Sequence, residues 1–212
     1  MSVFLETSIG DFVIDLFCEE APIACENFIK LNKIKFYNNC IFYDVQKGHI
    51  ALTGDPSSGK GNSLSTTSIF GLQDPKDKYF KDEINLNRKF ARKGLVATAN
   101  LGPDLNTSTF FITLTDEELP FYYKKHTIFG QIVEGLEFLD KFNQVYVDQK
   151  NRPLQNIRIK HSMIIDDGPF SDELNIEKLI PSRSPSPIRD EDGDVIDDDV
   201  NLDEIVQNMT EE

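Results

Sequence analysis

The chain has 212 residues and a formal net charge of -14, which is distributed unevenly. Residues 166–212 hold 16 acidic and 3 basic side chains, whereas residues 1–165 hold 20 acidic and 19 basic ones. Because neither part carries a basic excess, the composition argues against direct nucleic-acid binding through phosphate neutralisation.

Cysteine usage and the N-terminal residues indicate the compartment. Cys18, Cys25 and Cys40 are an odd number without metal-ligand spacing, which favours reduced thiols in a cytosolic or nuclear protein over a disulfide framework. The first residues have neither a basic segment nor a long apolar run, so no signal peptide is expected. No stretch approaches the roughly 18 apolar residues of a membrane span.

A hairpin and a helix are predicted first. Residues 3–5 form a short strand, and residues 12–17 alternate apolar and polar positions as a second strand would. Pro22 suits the first position of a helix. The apolar residues that follow it at helical spacing should close over an apolar surface such as the end of a barrel; they are Ala24, Phe28 and Leu31.

Strands and one long loop are predicted next. Residues 40–45 and 49–53 read as strands, and residues 56–68 read as a surface loop without the order of a phosphate-binding loop. Residues 74–93 are charged and irregular. A turn-rich loop at residues 100–108 separates two further strand candidates, residues 95–97 and 110–113.

The last elements complete a strand-rich pattern. Residues 127–133 form a strand, and a short helix follows with Leu136, Leu139 and Phe142 on one side. Residues 157–164 alternate strongly as a final strand. Antiparallel hairpins with one helix early and one late predict an all-β fold with two capping helices, closed as a barrel over residues 1–165.

Residues 166–212 are predicted to be an acidic, mostly disordered tail, because low hydrophobicity and high net charge disfavour a packed core. Two Ser-Pro steps make Ser184 and Ser186 candidate phosphorylation sites. Residues 201–209 could form a short partner-binding helix with an apolar face. The alternative is that this whole segment is a solvated acidic tail.

Four motifs occur in an order that is specific to one family. Each combines turn-forming residues with residues that favour strands. They are Thr53-Gly54-Asp55, Asn100-Leu101-Gly102-Pro103, Ser108-Thr109-Phe110-Phe111-Ile112 and His126-Thr127-Ile128-Phe129-Gly130.

With these motifs, residues 1–165 resemble a cyclophilin. The resemblance implies an eight-stranded antiparallel barrel capped by two helices, which agrees with the pattern above. It also implies binding of X-Pro segments and peptidyl-prolyl cis-trans isomerase (rotamase) activity, as in protein folding. No cofactor and no metal are implied, because the reaction only twists a partial double bond with a barrier of about 18–20 kcal/mol.

The resemblance assigns a role to each residue of the groove. Phe111 is expected as the floor of the proline pocket, Ile50 in its wall and His126 on the far side. Either Phe121 or Tyr122 is expected at the aromatic edge. Backbone groups that grip the substrate chain are implied at Ala99 and Asn100.

The chain departs from the family pattern at the catalytic position. Asp44 stands where the catalytic arginine is expected, Leu52 and Thr109 replace two glutamines, and His49 replaces a phenylalanine. A carboxylate accepts hydrogen bonds and cannot donate one to the developing nitrogen lone pair. Weak isomerase activity is therefore predicted, with Lys47 or His49 as a substitute donor only if one of them reaches the groove.

The pattern is similar to nuclear, spliceosome-associated cyclophilins that carry an RNA-recognition module downstream; this chain is expected to lack that module. A nuclear location is predicted, with the cytoplasm as the alternative. The expected partners are proline-containing segments and spliceosomal or other nuclear proteins, with no membrane contact, and a monomer is expected. Besides an isomerase, the sequence allows a non-catalytic proline-binding module or a scaffold whose tail recruits partners.

Overall fold

The computed structural model describes residues 1–57, 66–166 and 168–170, without the side chain of Pro169. The tail predictions, which concern Ser184, Ser186 and the helix at residues 201–209, lie outside the described residues. None of the helices within the described ranges has the length and apolar content needed to cross a membrane.

Eight strands form one antiparallel, curled sheet. Successive side chains of a strand point to opposite faces, so the alternating runs place apolar side chains on the inner face. Their order across the sheet is β3-β4-β6-β5-β7-β2-β1-β8. The strands are β1 (Ser2–Thr7), β2 (Gly10–Leu16), β3 (Asp44–Gln46), β4 (Ile50–Thr53), β5 (Leu95–Thr98), β6 (Phe110–Thr113), β7 (Ile128–Glu134) and β8 (Ile159–Asp166).

The strand predicted at residues 40–45 is largely wrong in its bounds, since β3 begins only at Asp44. The preceding residues instead bond to the beginning of β8. The Phe42 N–H donates to the Ile157 carbonyl at 2.8 Å, and the Ile159 N–H donates to the Cys40 carbonyl at 2.9 Å. This segment therefore forms hydrogen bonds beside β8 without being part of a regular strand.

The structure describes three α-helices, one more than predicted: α1 (Pro22–Lys33), α2 (Ile69–Gln73) and α3 (Leu139–Gln144). The short α2 was missed because its five residues show no helical repeat. Its first turn is held by side-chain acceptors: Ser68 Oγ accepts from the Gly71 N–H at 3.1 Å, and Asn27 Oδ1 accepts from the Ile69 N–H at 2.8 Å.

Helix α1 closes over the inner face of the sheet, as its apolar stripe predicts. The Phe28 ring lies 5.3 Å from that of Phe110 on β6 and 5.2 Å from that of Phe129 on β7, measured between centroids. Ala24 and Leu31 are buried with it. These contacts anchor β6, the strand on which the site is built.

The N-terminus of α1 is capped by a residue distant in sequence. The two carboxylate oxygens of Glu83 accept from the Ile23 N–H at 3.1 Å and the Ala24 N–H at 2.9 Å. Burial raises the pKa of Glu83, and the two backbone hydrogen bonds offset part of this shift. Glu83 thereby ties the irregular segment after α2 to the helix.

Glu83→Ala is expected to lower the free energy of unfolding by about 1–2 kcal/mol, because two helix N–H groups lose their acceptor. Desolvation of the carboxylate offsets part of that loss at neutral pH. Urea unfolding followed by circular dichroism measures the change. Glu19→Ala removes an exposed acid just before α1 and serves as the control; equal losses in both variants would contradict the capping role.

Candidate functional site

One row of residues crosses four strands on the outer face of the sheet. Asp44 on β3 pairs with Leu52 on β4, and Leu52 pairs with Phe111 on β6. Phe111 in turn pairs with Ala97 on β5. Residues that are directly opposite in antiparallel strands point to the same face. Asp44 therefore shares a surface with the predicted pocket floor.

The two adjacent phenylalanines of β6 point to opposite faces, as the two-residue period of a strand requires. Phe110 packs inward against Phe28. Phe111 lies outward, in a second apolar cluster that is separate from the main core. The buried members of this cluster are Ile50, Phe90, Leu95, Ala97, Phe111, Leu119 and Ile128.

Three rings form the aromatic part of the site. The Phe111 ring lies 5.3 Å from both the Tyr122 and the His126 rings, and these two lie 5.8 Å from each other. Phe90 stacks on Phe111 at 5.7 Å and lies 6.0 Å from the Tyr122 ring. Phe111 is only 1% exposed, so its ring is almost completely covered by its neighbours.

The structure separates the two candidates for the aromatic edge. Tyr122 contacts Phe111 and His126, whereas the Phe121 side chain is 70% exposed. The Phe121 ring meets only the edge of Tyr122, at 5.5 Å, and the Lys125 ammonium, at 3.9 Å, among the described ring contacts. Of the two candidates, only Tyr122 has a ring contact with Phe111 among the described residues.

The β3–β4 side of the groove is only partly as expected. Ile50 is buried and Leu52 half-buried, and both pack with Phe111. His49 lies on the exposed hairpin with its Nδ1 3.1 Å from the Lys47 carbonyl, and its place in the pocket wall stays a prediction. Lys47 itself is exposed and lies over the Tyr146 ring, so neither is directed at the groove as a substitute donor.

The opposite wall is the loop from residue 99 to 109. The Ala99 N–H donates to the Thr109 carbonyl at 3.0 Å, and the Thr109 hydroxyl donates to the Ala99 carbonyl at 2.7 Å. The Ala99 N–H is therefore bonded internally, and its carbonyl keeps one lone pair for a further donor, so its grip on a substrate stays a prediction. Asn100 takes part in no backbone–backbone hydrogen bond among the described residues, so its N–H and C=O remain for a bound chain.

Asp82 organises this wall and was not identified from the sequence. Its Oδ1 accepts from the side-chain amides of Asn100, at 3.0 Å, and Asn106, at 2.7 Å. Its Oδ2 accepts from the Asp104 N–H at 3.0 Å. One carboxylate thus fixes three points of the loop, which holds the Asn100 backbone in place.

The environment of Asp44 includes a second residue that was missed, Gln46. The Gln46 amide donates to Asp44 Oδ2 at 3.1 Å, and its oxygen is 3.4 Å from the Tyr122 hydroxyl. Asp44 Oδ1 is shielded from water and has no hydrogen-bond partner among the described residues. The two-residue spacing on one strand was the available signal, since it puts Gln46 beside Asp44.

Burial and charge shift the titration of the site's rings. Desolvation lowers the pKa of His126, and this shift is partly offset by a hydrogen bond to the Thr98 backbone and by the charge of Asp82. Burial raises the pKa of the Tyr122 phenol, and the Asp44 charge raises it further. The pocket is therefore built to hold an uncharged imidazole and an uncharged phenol.

The His126 imidazole is expected to titrate below the ordinary histidine value of about 6.5. Because the fold disfavours its protonation, its contribution to stability is unchanged above that value and falls as pH decreases through the lowered pKa. Heteronuclear NMR of the ring, assigned with His126→Asn, measures the midpoint. A midpoint at or above 6.5 would contradict the desolvated position.

Comparisons with known proteins agree with this geometry. The family model described as cyclophilin type peptidyl-prolyl cis-trans isomerase/CLD matches residues 2–164. A crystal structure of a Cryptosporidium parvum cyclophilin type peptidyl-prolyl cis-trans isomerase, in the presence of the dipeptide Ala-Pro, has a TM-score of 0.70 and 34% sequence identity. The match covers 78% of this chain and 99% of that one.

The chain therefore belongs to the cyclophilin-type peptidyl-prolyl cis-trans isomerase family. It is 47% identical to peptidyl-prolyl cis-trans isomerase CYP59 of Arabidopsis thaliana over 85% of this chain and 35% of that protein. It is 45% identical to human peptidyl-prolyl cis-trans isomerase-like 4 over 90% of this chain and 38% of that protein. The chain thus spans less than half the length of these curated relatives.

Proposed function

We propose that residues 1–165 bind X-Pro segments of other proteins in the groove over Phe111 and catalyse their cis/trans isomerisation only weakly. The observation that carries this proposal is the pairing of Asp44 with Leu52 on the groove face. The apolar half of the site, made by Phe111, Tyr122 and His126, suits a proline ring. Binding to a proline-containing ligand is supported by the Ala-Pro dipeptide present with the Cryptosporidium relative.

Among the described residues, no cationic donor on the β3–β4 side is directed at the groove. Twisting the amide returns the lone pair to the proline nitrogen, and a donor aimed at that atom binds the transition state more strongly than the ground state. Asp44 and Leu52 cannot donate from their side chains. The Gln46 amide can donate; one of its N–H groups is bonded to Asp44, and the other is a neutral donor, weaker than the charged guanidinium of an arginine. Low activity follows from this chemistry, and a non-catalytic binding module is the alternative that the same observation favours.

A prolyl-isomerisation assay on short X-Pro peptides tests the proposal, with an arginine-bearing cyclophilin as the reference. The expected kcat/KM is one to two decades below the reference, since a charge-assisted hydrogen bond of about 1.5–3 kcal/mol is absent. A rate equal to the reference would overturn the weak-catalysis proposal. Binding with no turnover at all would favour the non-catalytic module.

Three wider proposals accompany this one. The barrel is proposed to be closed, which is supported by the hydrogen bonds between residues 40–42 and 157–159.

The protein is proposed to be nuclear and to act with splicing-related partners, with the cytoplasm as the alternative. Imaging of the tagged chain tests the location. A scaffold role for residues 166–212 predicts that deleting them abolishes partner binding.

A further inference from the structure

The charge at Asp44 is not matched within the site. Among the described residues, no lysine, arginine or histidine nitrogen forms an ion pair with this carboxylate. Its one hydrogen bond comes from the neutral Gln46 amide, and its Oδ1 is shielded without a partner. A poorly solvated and unpaired carboxylate is unfavourable. A positive charge brought into the groove would offset that cost.

The distance between Asp44 and the pocket floor is set by the sheet. The two residues are in register on β3 and β6, with Leu52 between them. Neighbouring strands lie about 4.8 Å apart, so the two backbones are separated by roughly 10 Å. An extended peptide advances about 3.3–3.6 Å per residue. A side chain one or two residues from a proline bound over Phe111 therefore reaches Asp44.

The negative charge of Asp44 affects a neighbouring residue of the proposed pocket. It is one of the causes that raise the pKa of the Tyr122 phenol, whose ring contacts Phe111. Two lysines on the rim oppose this charge, but both are exposed. Lys125 lies over the Phe121 ring, and Lys47 lies over the Tyr146 ring. Because exposed charges are strongly screened, the carboxylate inside the groove should dominate.

We infer that the groove selects X-Pro segments that carry an arginine or lysine within two residues of the proline, and that Asp44 determines this preference. The inference rests on the proposed X-Pro binding and names the class of segment that is bound. An acidic residue at the same position is disfavoured, since it would bring two negative charges together in a partly dehydrated groove.

Three peptides that share the sequence Ala-Ala-Pro-Xaa-Ala, with blocked ends and Xaa as Arg, Gln or Glu, test the inference. Calorimetric titration into the full 212-residue chain at low salt is expected to give a dissociation constant about 3- to 10-fold lower for Arg than for Gln. Glu should bind more weakly than Gln. Raising the ionic strength should bring the ratios of the three dissociation constants closer to one, because salt screens the charges.

Two variants assign the effect to its source. Asp44→Asn keeps the shape of the side chain and removes its charge, so it should bring the three dissociation constants together. Asp11→Asn removes one exposed negative charge on β2 and should preserve the ranking. This pair separates the local charge from the net charge of the chain.

Each outcome bears on a different proposal. Equal binding of the Arg, Gln and Glu peptides to the unmodified chain would overturn the charge preference and leave X-Pro binding standing. A preference that persists in Asp44→Asn would overturn the assignment to Asp44. A failure of all three peptides to bind would overturn the proposed X-Pro binding, and the charge preference with it.

Discussion

Asp44→Arg is expected to raise kcat/KM for isomerisation of an X-Pro peptide by about one to two decades. The guanidinium would replace an acceptor by a charged donor on the groove face, beside Leu52 and in register with Phe111. A charge-assisted hydrogen bond of about 1.5–3 kcal/mol in the transition state corresponds to that gain. A protease-coupled or NMR exchange assay measures the rate.

Asp44→Asn is the matched control for this substitution. It removes the repulsion by the carboxylate but supplies no cationic donor, so its gain should be much smaller than that of Asp44→Arg. No gain in either variant, with peptide binding intact, would show that the missing donor at residue 44 does not limit the rate. Loss of binding in Asp44→Arg would show that the larger side chain blocks the groove.

Phe111→Ala is expected to abolish binding of an X-Pro peptide and to lower the free energy of unfolding by about 3–5 kcal/mol. The ring is 1% exposed and contacts Phe90, Tyr122 and His126, so its removal takes away the pocket floor and leaves a cavity. Chemical unfolding measures the stability, and calorimetric titration below the unfolding transition measures binding.

Phe28→Ala is the control that separates the loss of peptide binding in Phe111→Ala from its loss of stability. Its ring is equally buried but faces the inner core, against Phe110 and Phe129. The loss of stability should be similar, whereas the folded fraction should still bind the peptide. Equal loss of binding in both variants would mean that the peptide does not contact Phe111 directly.

The fold class followed from local patterns. Alternation at residues 12–17 predicted β2, and the helical spacing of Ala24 and Phe28 predicted the buried face of α1. These predictions succeeded because the period of apolar residues reflects which face of an element is buried. Helix α2 did not follow, because five residues are too few for a repeat and its first turn depends on Ser68 and Asn27.

The site, like the fold, was predicted from the sequence only in part. The motifs around Phe111 and His126 indicated a proline pocket, and the geometry brings these two rings together. The role of each remains a proposal. Phe121 and His49 are exposed, which the sequence did not indicate, because exposure depends on how the covering segments fold; their roles stay predictions.

By itself, the sequence indicated the family, the order of the strands and two of the three α-helices. Those properties depend on residue type and spacing along the chain. Only the tertiary structure showed that Tyr122 contacts Phe111, whereas Phe121 is exposed. It also brought Glu83 to α1, Asp82 to the Asn100 loop and Gln46 between Asp44 and Tyr122. Most of these contacts join residues far apart in sequence, and no local pattern records which distant side chain will supply a hydrogen-bond partner.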